Sequence, residues 1–155
     1  MSEPVGTYLV TASDEASAVV RDVETGQVHT LAAQPEPELA VGELLEARLE
    51  PEPPMELAWR VAAIERRWTA AVLAPDLEPT TQVRELGAGL APGDLERIER
   101  AGSGEIHVVG VDDPAAAAAA LVDDESVLER AGRLGAVRVE IRTGDGFVSV
   151  RYLPD

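Results

Sequence analysis

Lysine and cysteine are both absent from this chain. Without cysteine there are no disulfides, no thiolate metal ligands and no cysteine nucleophile. Histidine occurs only as His29 and His107, and aromatic residues make up 3% of the sequence, with a single phenylalanine. The longest apolar run, Ala115 to Val122, falls far short of the ~20 residues a membrane-spanning helix needs. The start, Met1-Ser2-Glu3-Pro4, has neither a basic region nor a long apolar stretch, so no signal peptide and a cytoplasmic location are expected.

What fills the sequence is acid. All 13 basic residues are arginine, against 29 carboxylates, for a net charge of −16. Lysine is ordinarily among the commonest residues. Its stem exposes apolar surface and its ammonium is one strongly hydrated charge. Carboxylates hold water and cations, and added acid raises solubility more than added base. At about 1 M salt the Debye length is only ~3 Å, which screens the self-repulsion of so acidic a surface. In dilute buffer the same charge opposes the compact state. The composition therefore points to a halophilic protein, with K+ expected around its surface. A GC-rich genome, whose codons favour Arg over Lys together with Ala, Gly and Val, is the alternative source of this bias.

The apolar content suffices for one domain or two small ones. Residues 1–65 carry β signals throughout. Strands are expected at Thr7–Thr11, Ser17–Val23, Val28–Leu31, Val41–Leu49 and Leu57–Ile64. Between them lie the turn Glu24-Thr25-Gly26-Gln27 and two proline loops, residues 34–38 and 51–54. Strands this short at hairpin spacing predict a small antiparallel β-barrel, OB-like or SH3-like.

Residues 66–155 mix periods. Strands are expected at Trp68–Leu73, Leu95–Ala101 and Glu105–Val111, with a short helix over Thr80–Leu86. Asp113-Pro114 has the form of an N-cap followed by a first-turn proline, and Ser126-Val127-Leu128-Glu129 that of a capping box. Residues 114–134 are thus one helix or two. Ala136–Arg142 and Phe147–Leu153 form a hairpin over Gly144-Asp145. This order, β-α-β-β-α-β with an additional strand, predicts a ferredoxin-like α+β domain.

Several stretches resemble an uncharacterised family of haloarchaeal proteins, a domain of unknown function. They are Gly6–Thr11, Val19–Val23, Gln27–Leu31, Pro51–Glu56, Arg97–Val108 and Val148–Pro154. The resemblance spans nearly the whole chain and agrees with the salt-adapted composition. It implies no activity.

Candidate chemistry is sparse. Two histidines in different halves make no metal site, and each reads as a packed strand residue. The clusters Asp112-Asp113 and Asp123-Asp124-Glu125 stand where helices begin and serve as caps. Gly102-Ser103-Gly104 precedes a strand rather than a helix, so it is a turn, not a phosphate loop. The remaining candidate is the outer face of the last hairpin. A two-residue turn at Gly144-Asp145 pairs Ile141 with Val148, Val139 with Val150 and Val137 with Tyr152 on an apolar face. It leaves Arg138, Glu140, Arg142, Phe147, Ser149 and Arg151 on the other, with Phe147 across from Arg142 and Arg138 across from Arg151. Arg97 and Arg100 lie on a neighbouring strand. An aromatic among arginines on an open sheet is how sheet-type RNA binders stack bases; the same face could instead be satisfied by packing and carboxylates. With no catalytic constellation and no cofactor fingerprint, the expectation is a non-enzymatic binding or regulatory module. Its partner is RNA or, alternatively, a protein or a second copy of the chain.

Overall fold

Five strands carry the N-terminal β pattern in the computed structural model, which describes residues 5–53, 58–75, 77–99 and 104–154. They are β1 (Gly6–Ser13), β2 (Ala18–Asp22), β3 (Val28–Leu31), β4 (Leu44–Pro51) and β5 (Trp59–Trp68). They close into a barrel in the order β1-β2-β3-β5-β4. Neighbours are antiparallel except β3 and β5, which run parallel and meet at Leu31 and Trp59. Alternate residues point inward, so Tyr8, Val10, Val20, Leu31, Leu45, Ala47 and Leu49 fill the interior, with Trp59 and Val61 packed against them. Between β2 and β3, the Asp22 carboxylate accepts from the amides of Glu24 and Thr25 at 2.8 and 3.1 Å. Gly26 supplies the positive φ of 78° that completes this turn.

The chain divides into two units: residues 1–69 with 128–133, and residues 70–127 with 134–155. The first is the barrel plus a length of helix. Gly132 lets that helix come close, since a Cβ there would lie 2.8 Å from a Leu44 methyl and 3.3 Å from Val23. Arg133 donates to the Val23 carbonyl at 2.8 Å, and Arg21 pairs with Glu129.

The second unit holds β6 (Ala71–Leu73), α1 (Thr81–Ala88), β7 (Leu95–Glu99), β8 (Glu105–Gly110), α2 (Pro114–Val122), the ends of α3 (Glu125–Leu134), β9 (Arg138–Gly144) and β10 (Phe147–Leu153). Residues 114–134 are therefore two helices. The first is capped by Asp113, whose carboxylate accepts from the Ala116 amide at 3.2 Å. At the second, Asp124 accepts from the Ser126 amide at 2.9 Å. The predicted strand Trp68–Leu73 is split: Trp68 ends β5 opposite Leu44, and only Ala71–Leu73 joins the other sheet.

The sheet order is β6-β9-β10-β8-β7. β8 and β9 form a split unit joined through α2 and α3, with β10 inserted between them. In a ferredoxin-like sheet the first strand occupies that slot. Here β10 takes it, because a tight Asp145-Gly146 turn folds it directly back on β9, and β6 is left at the edge. The hairpin register also differs from expectation. The positive φ falls at Gly146 (83°), so the turn centres one residue later and Val150 pairs with Ile141, Tyr152 with Val139. The slip is of two residues, so each side chain keeps its predicted face.

Candidate functional site

The register rearranges the arginines of the last hairpin. Glu140 lies across from Arg151, Ser149 across from Arg142 and Leu153 across from Arg138, so the expected Arg138–Arg151 opposition does not occur. The Glu140 carboxylate, with its residue only 7% exposed, takes Arg138 Nε at 3.1 Å and Arg142 Nη2 at 2.9 Å. Arg142 Nη1 donates to the Glu78 carbonyl at 3.2 Å. Charge-assisted hydrogen bonds of this kind compensate the desolvation of a buried carboxylate. The face is thus an internal ionic network.

Phe147 is not available to stack on anything. It is 2% exposed, pairs with Gly144 rather than Arg142, and packs with Val83, Ile106 and Val108. Its ring sits between Gly87 and Gly144, where added Cβ atoms would fall 2.3 and 2.1 Å from it. Arg97 lies on β7, separated from β10 by β8, and Arg100 lies outside the described residues. Arg138, Arg142 and Arg151 are gathered around Glu140; Arg97 is not.

The two histidines are packed, as expected. His107 Nε2 lies 2.9 Å from Glu105 Oε2, with its ring edge-on to Tyr152. His29 lies inside the barrel between Tyr8 and Trp59, at ring distances of 5.7 and 4.5 Å. Among the described residues, no group of three or more His, Asp or Glu side chains is placed to hold a metal ion. Among the described residues, no helix is long and apolar enough to cross a membrane.

A different feature emerges on β5. Beyond the Leu31–Trp59 contact, where the Ala32 amide donates to the Trp59 carbonyl at 2.8 Å, β3 and β5 part. The connection after β3 runs on beside β5 to Arg67, whose guanidinium donates to the carbonyls of Pro37 (2.7 Å) and Glu38 (3.2 Å). It also clasps Glu43 bidentately at 2.7 and 3.0 Å. Burial acts to raise the Glu43 carboxyl, but the Arg67 hydrogen bonds, the Ala40 amide and the Arg67 charge outweigh it and hold the group below the ordinary carboxylate range. At the other end Gln34 is pinned: its amide donates to Ser13 Oγ and the carbonyls of Asp14 and Ser17, and its oxygen accepts from the Leu39 amide.

Between these two anchors lies a groove of about 400 Å3, lined by Ala33, Gln34, Pro35 and residues 60–64. Among the described residues, no backbone hydrogen bond joins Arg60–Ile64 to a partner on the groove side. β5 is also bulged there: Ala62 and Glu65 are extra residues relative to β4. Bulges bend a strand and re-aim its groups. Sequence reasoning passed over this site because residues 34–38 and 57–64 were taken separately as loop and strand. The available signal was Ala62-Ala63, small side chains on both faces of a strand facing a proline loop.

The family model described as "Family of unknown function (DUF5812)" matches residues 4–143. No curated protein and no solved structure matches the chain.

Proposed function

The chain belongs to the family of unknown function DUF5812, and we propose that it is a non-enzymatic binding module that holds an extended segment of a partner protein in the β5 groove. The observation that carries this is the edge of β5 at Arg60–Ile64, which pairs with β4 on one side and, among the described residues, has no backbone partner on the groove side, along an apolar trough. An extended peptide laid there adds a strand, taking affinity from main-chain hydrogen bonds and specificity from the pockets for alternate side chains. Small aliphatic residues fit walls of Ala33, Pro35, Val61 and Ile64. The order β1-β2-β3-β5-β4 favours the OB-like reading of the barrel, a scaffold that binds ligands along its strands and loops. That likeness is fold-level analogy; the ligand class rests on the site.

Charge favours a basic segment over a nucleic acid. Arg60 is held by Glu50 at 3.0 Å, and Arg67 by Glu43. Arg66 lies over the Trp68 ring at 4.1 Å, with Glu46 at 3.8 Å. Glu36, Glu38 and Glu65 are exposed, and among the described residues none has a cationic partner. Phosphates brought here would meet uncompensated carboxylates, and phosphate contacts weaken further with salt. In the salt-rich cytoplasm we read from the composition, main-chain bonds and apolar contacts persist where bare charge is screened.

The test is fluorescence anisotropy in molar KCl. The probes are extended peptides alternating Val or Ile with Arg, and single-stranded RNA. Each is measured against the native chain and Ala62→Trp, which fills the groove from its exposed side. Peptide binding that Ala62→Trp abolishes is expected. No peptide binding, or RNA binding that ignores the substitution, overturns the proposal.

A further inference from the structure

β7 forms the edge of the second sheet, bonded among the described residues to β8 alone, and Leu95, Glu96, Arg97 and Glu99 are exposed on it. Gly110 donates to the Asp94 carbonyl at 2.9 Å. Backbone groups alternate sides along an antiparallel strand. The even-numbered residues of β7 therefore bond to β8, and Leu95, Arg97 and Glu99 turn their N–H and C=O groups outward. A free ladder of this kind is a template for another strand.

The side chains specify which strand. Around Ile98 the sequence runs Glu96-Arg97-Ile98-Glu99-Arg100. Read backwards, acids and bases exchange places. We propose that β7 pairs antiparallel with β7 of a second copy of this chain, about a twofold axis at Ile98, making one continuous sheet from two.

In that register Arg97 faces Glu99 of the second copy, twice by symmetry. Those positions are also the hydrogen-bonded pairs, because both residues present outward backbone groups. Ile98 meets its own copy at the non-hydrogen-bonded site, where side chains approach most closely. Slipping by one residue sets outward-facing backbone groups against inward-facing ones; slipping by two opposes Arg97 or Glu99 to itself. Each alternative loses hydrogen bonds or sets like charges together, so one register is selected.

The chain also contains a like-charge pair that this arrangement relieves. Within the sheet Glu99 lies directly across from Glu105, an unfavourable juxtaposition, and Arg97 of the second copy arrives beside it. Edge charges usually prevent association. Here their antisymmetric order makes the edge self-complementary. Two copies of charge −16 repel at long range, so pairing strengthens as salt shortens the Debye length.

Sedimentation equilibrium of the full chain in molar KCl tests this. The native protein is expected to form a reversible dimer, weaker in dilute buffer. Arg97→Glu or Glu99→Arg alone replaces two attractive pairs by two repulsive ones and should weaken association on the order of tenfold. The double variant restores both pairs with signs exchanged and should recover most of the affinity. Far-UV circular dichroism checks that the variants, all at exposed positions, keep the fold. A native chain that stays monomeric at every concentration overturns the proposal. So does a dimer indifferent to the single reversals, which forms through another surface, or a double variant no better than the singles.

Discussion

Phe147→Ala should be among the most damaging substitutions in the second unit. The ring is 2% exposed and surrounded by Val83, Ile106 and Val108. Removing a buried phenylalanine costs about 3–5 kcal/mol, rising with the volume left unfilled. Collapse is poor here because two of the neighbours, Gly87 and Gly144, have no side chain to move into the space. The upper part of that range is therefore expected, which for a unit of this size corresponds to a fall in Tm on the order of 15 °C or more. Far-UV circular dichroism in molar KCl follows the loss. Tryptophan fluorescence follows the barrel separately, since Trp59 and Trp68 both belong to the first unit. A companion variant sharpens the reasoning. In Gly87→Ala the helix gains up to about 1 kcal/mol of propensity, but the new methyl strikes the ring, and overpacking costs about 1–3 kcal/mol. Combined with Phe147→Ala, the same methyl enters the vacated space, so the double variant should be more stable than the two separate losses predict. A cost below about 1 kcal/mol for Phe147→Ala, as at surface positions, would falsify the burial on which this rests.

Two further outcomes follow from charge. Burial lowers the pKa of His29 below its ordinary 6.5, against a smaller opposing pull from Asp22. The unfolded chain then takes up the proton first, so stability present above pH 6.5 is lost as pH falls from there toward the folded-state value. Denaturant midpoints at pH 7.5 and 5.5, read by tryptophan fluorescence, should separate for the native chain and converge in His29→Phe; equal shifts in both would exclude this cause. Replacing molar KCl by dilute buffer should lower Tm, because self-repulsion at a net charge of −16 is no longer screened; an unchanged Tm would remove the case for salt adaptation.

Where local chemistry decided the structure, the sequence was readable. Inward-facing Tyr8, Val10 and Val20 mark the barrel strands by alternation, and Asp113-Pro114 starts a helix where capping chemistry requires one. The turn at residues 144–146 was legible in kind but not in position, because Asp145-Gly146 and Gly144-Asp145 are both plausible turns. Only the cross-strand pairing selects the pair that gives Gly146 its positive φ. The fate of Phe147 depended on partners distant in sequence. Alternation placed it on the arginine face, but that α1 covers this face through Gly87 is a tertiary fact with no local signature. The β5 groove was hidden for a related reason. It consists of space between two segments, and each alone looks ordinary.

The absence of lysine constrains how such a protein can present a binding surface. Every basic side chain other than the two histidines is a guanidinium, able to fork a carboxylate with two parallel hydrogen bonds; Arg67 does so, and several others each reach a carboxylate through one bond. Arg67 clasps Glu43, Arg60 reaches Glu50, and Glu140 takes both Arg138 and Arg142. Arginines held this way are structural parts, so their number along the hairpin does not count free cationic groups. The carboxylates left over are exposed and uniform in sign, so bulk charge alone can select little beyond cations. Recognition then has to come from groups that salt does not screen and from charges whose order, rather than number, carries information. Those conditions coincide at two places, the groove-side edge of Arg60–Ile64 and the outward-facing edge of β7 around Ile98. At the first a basic, apolar strand is the complementary partner; at the second the complement of the edge is the edge itself.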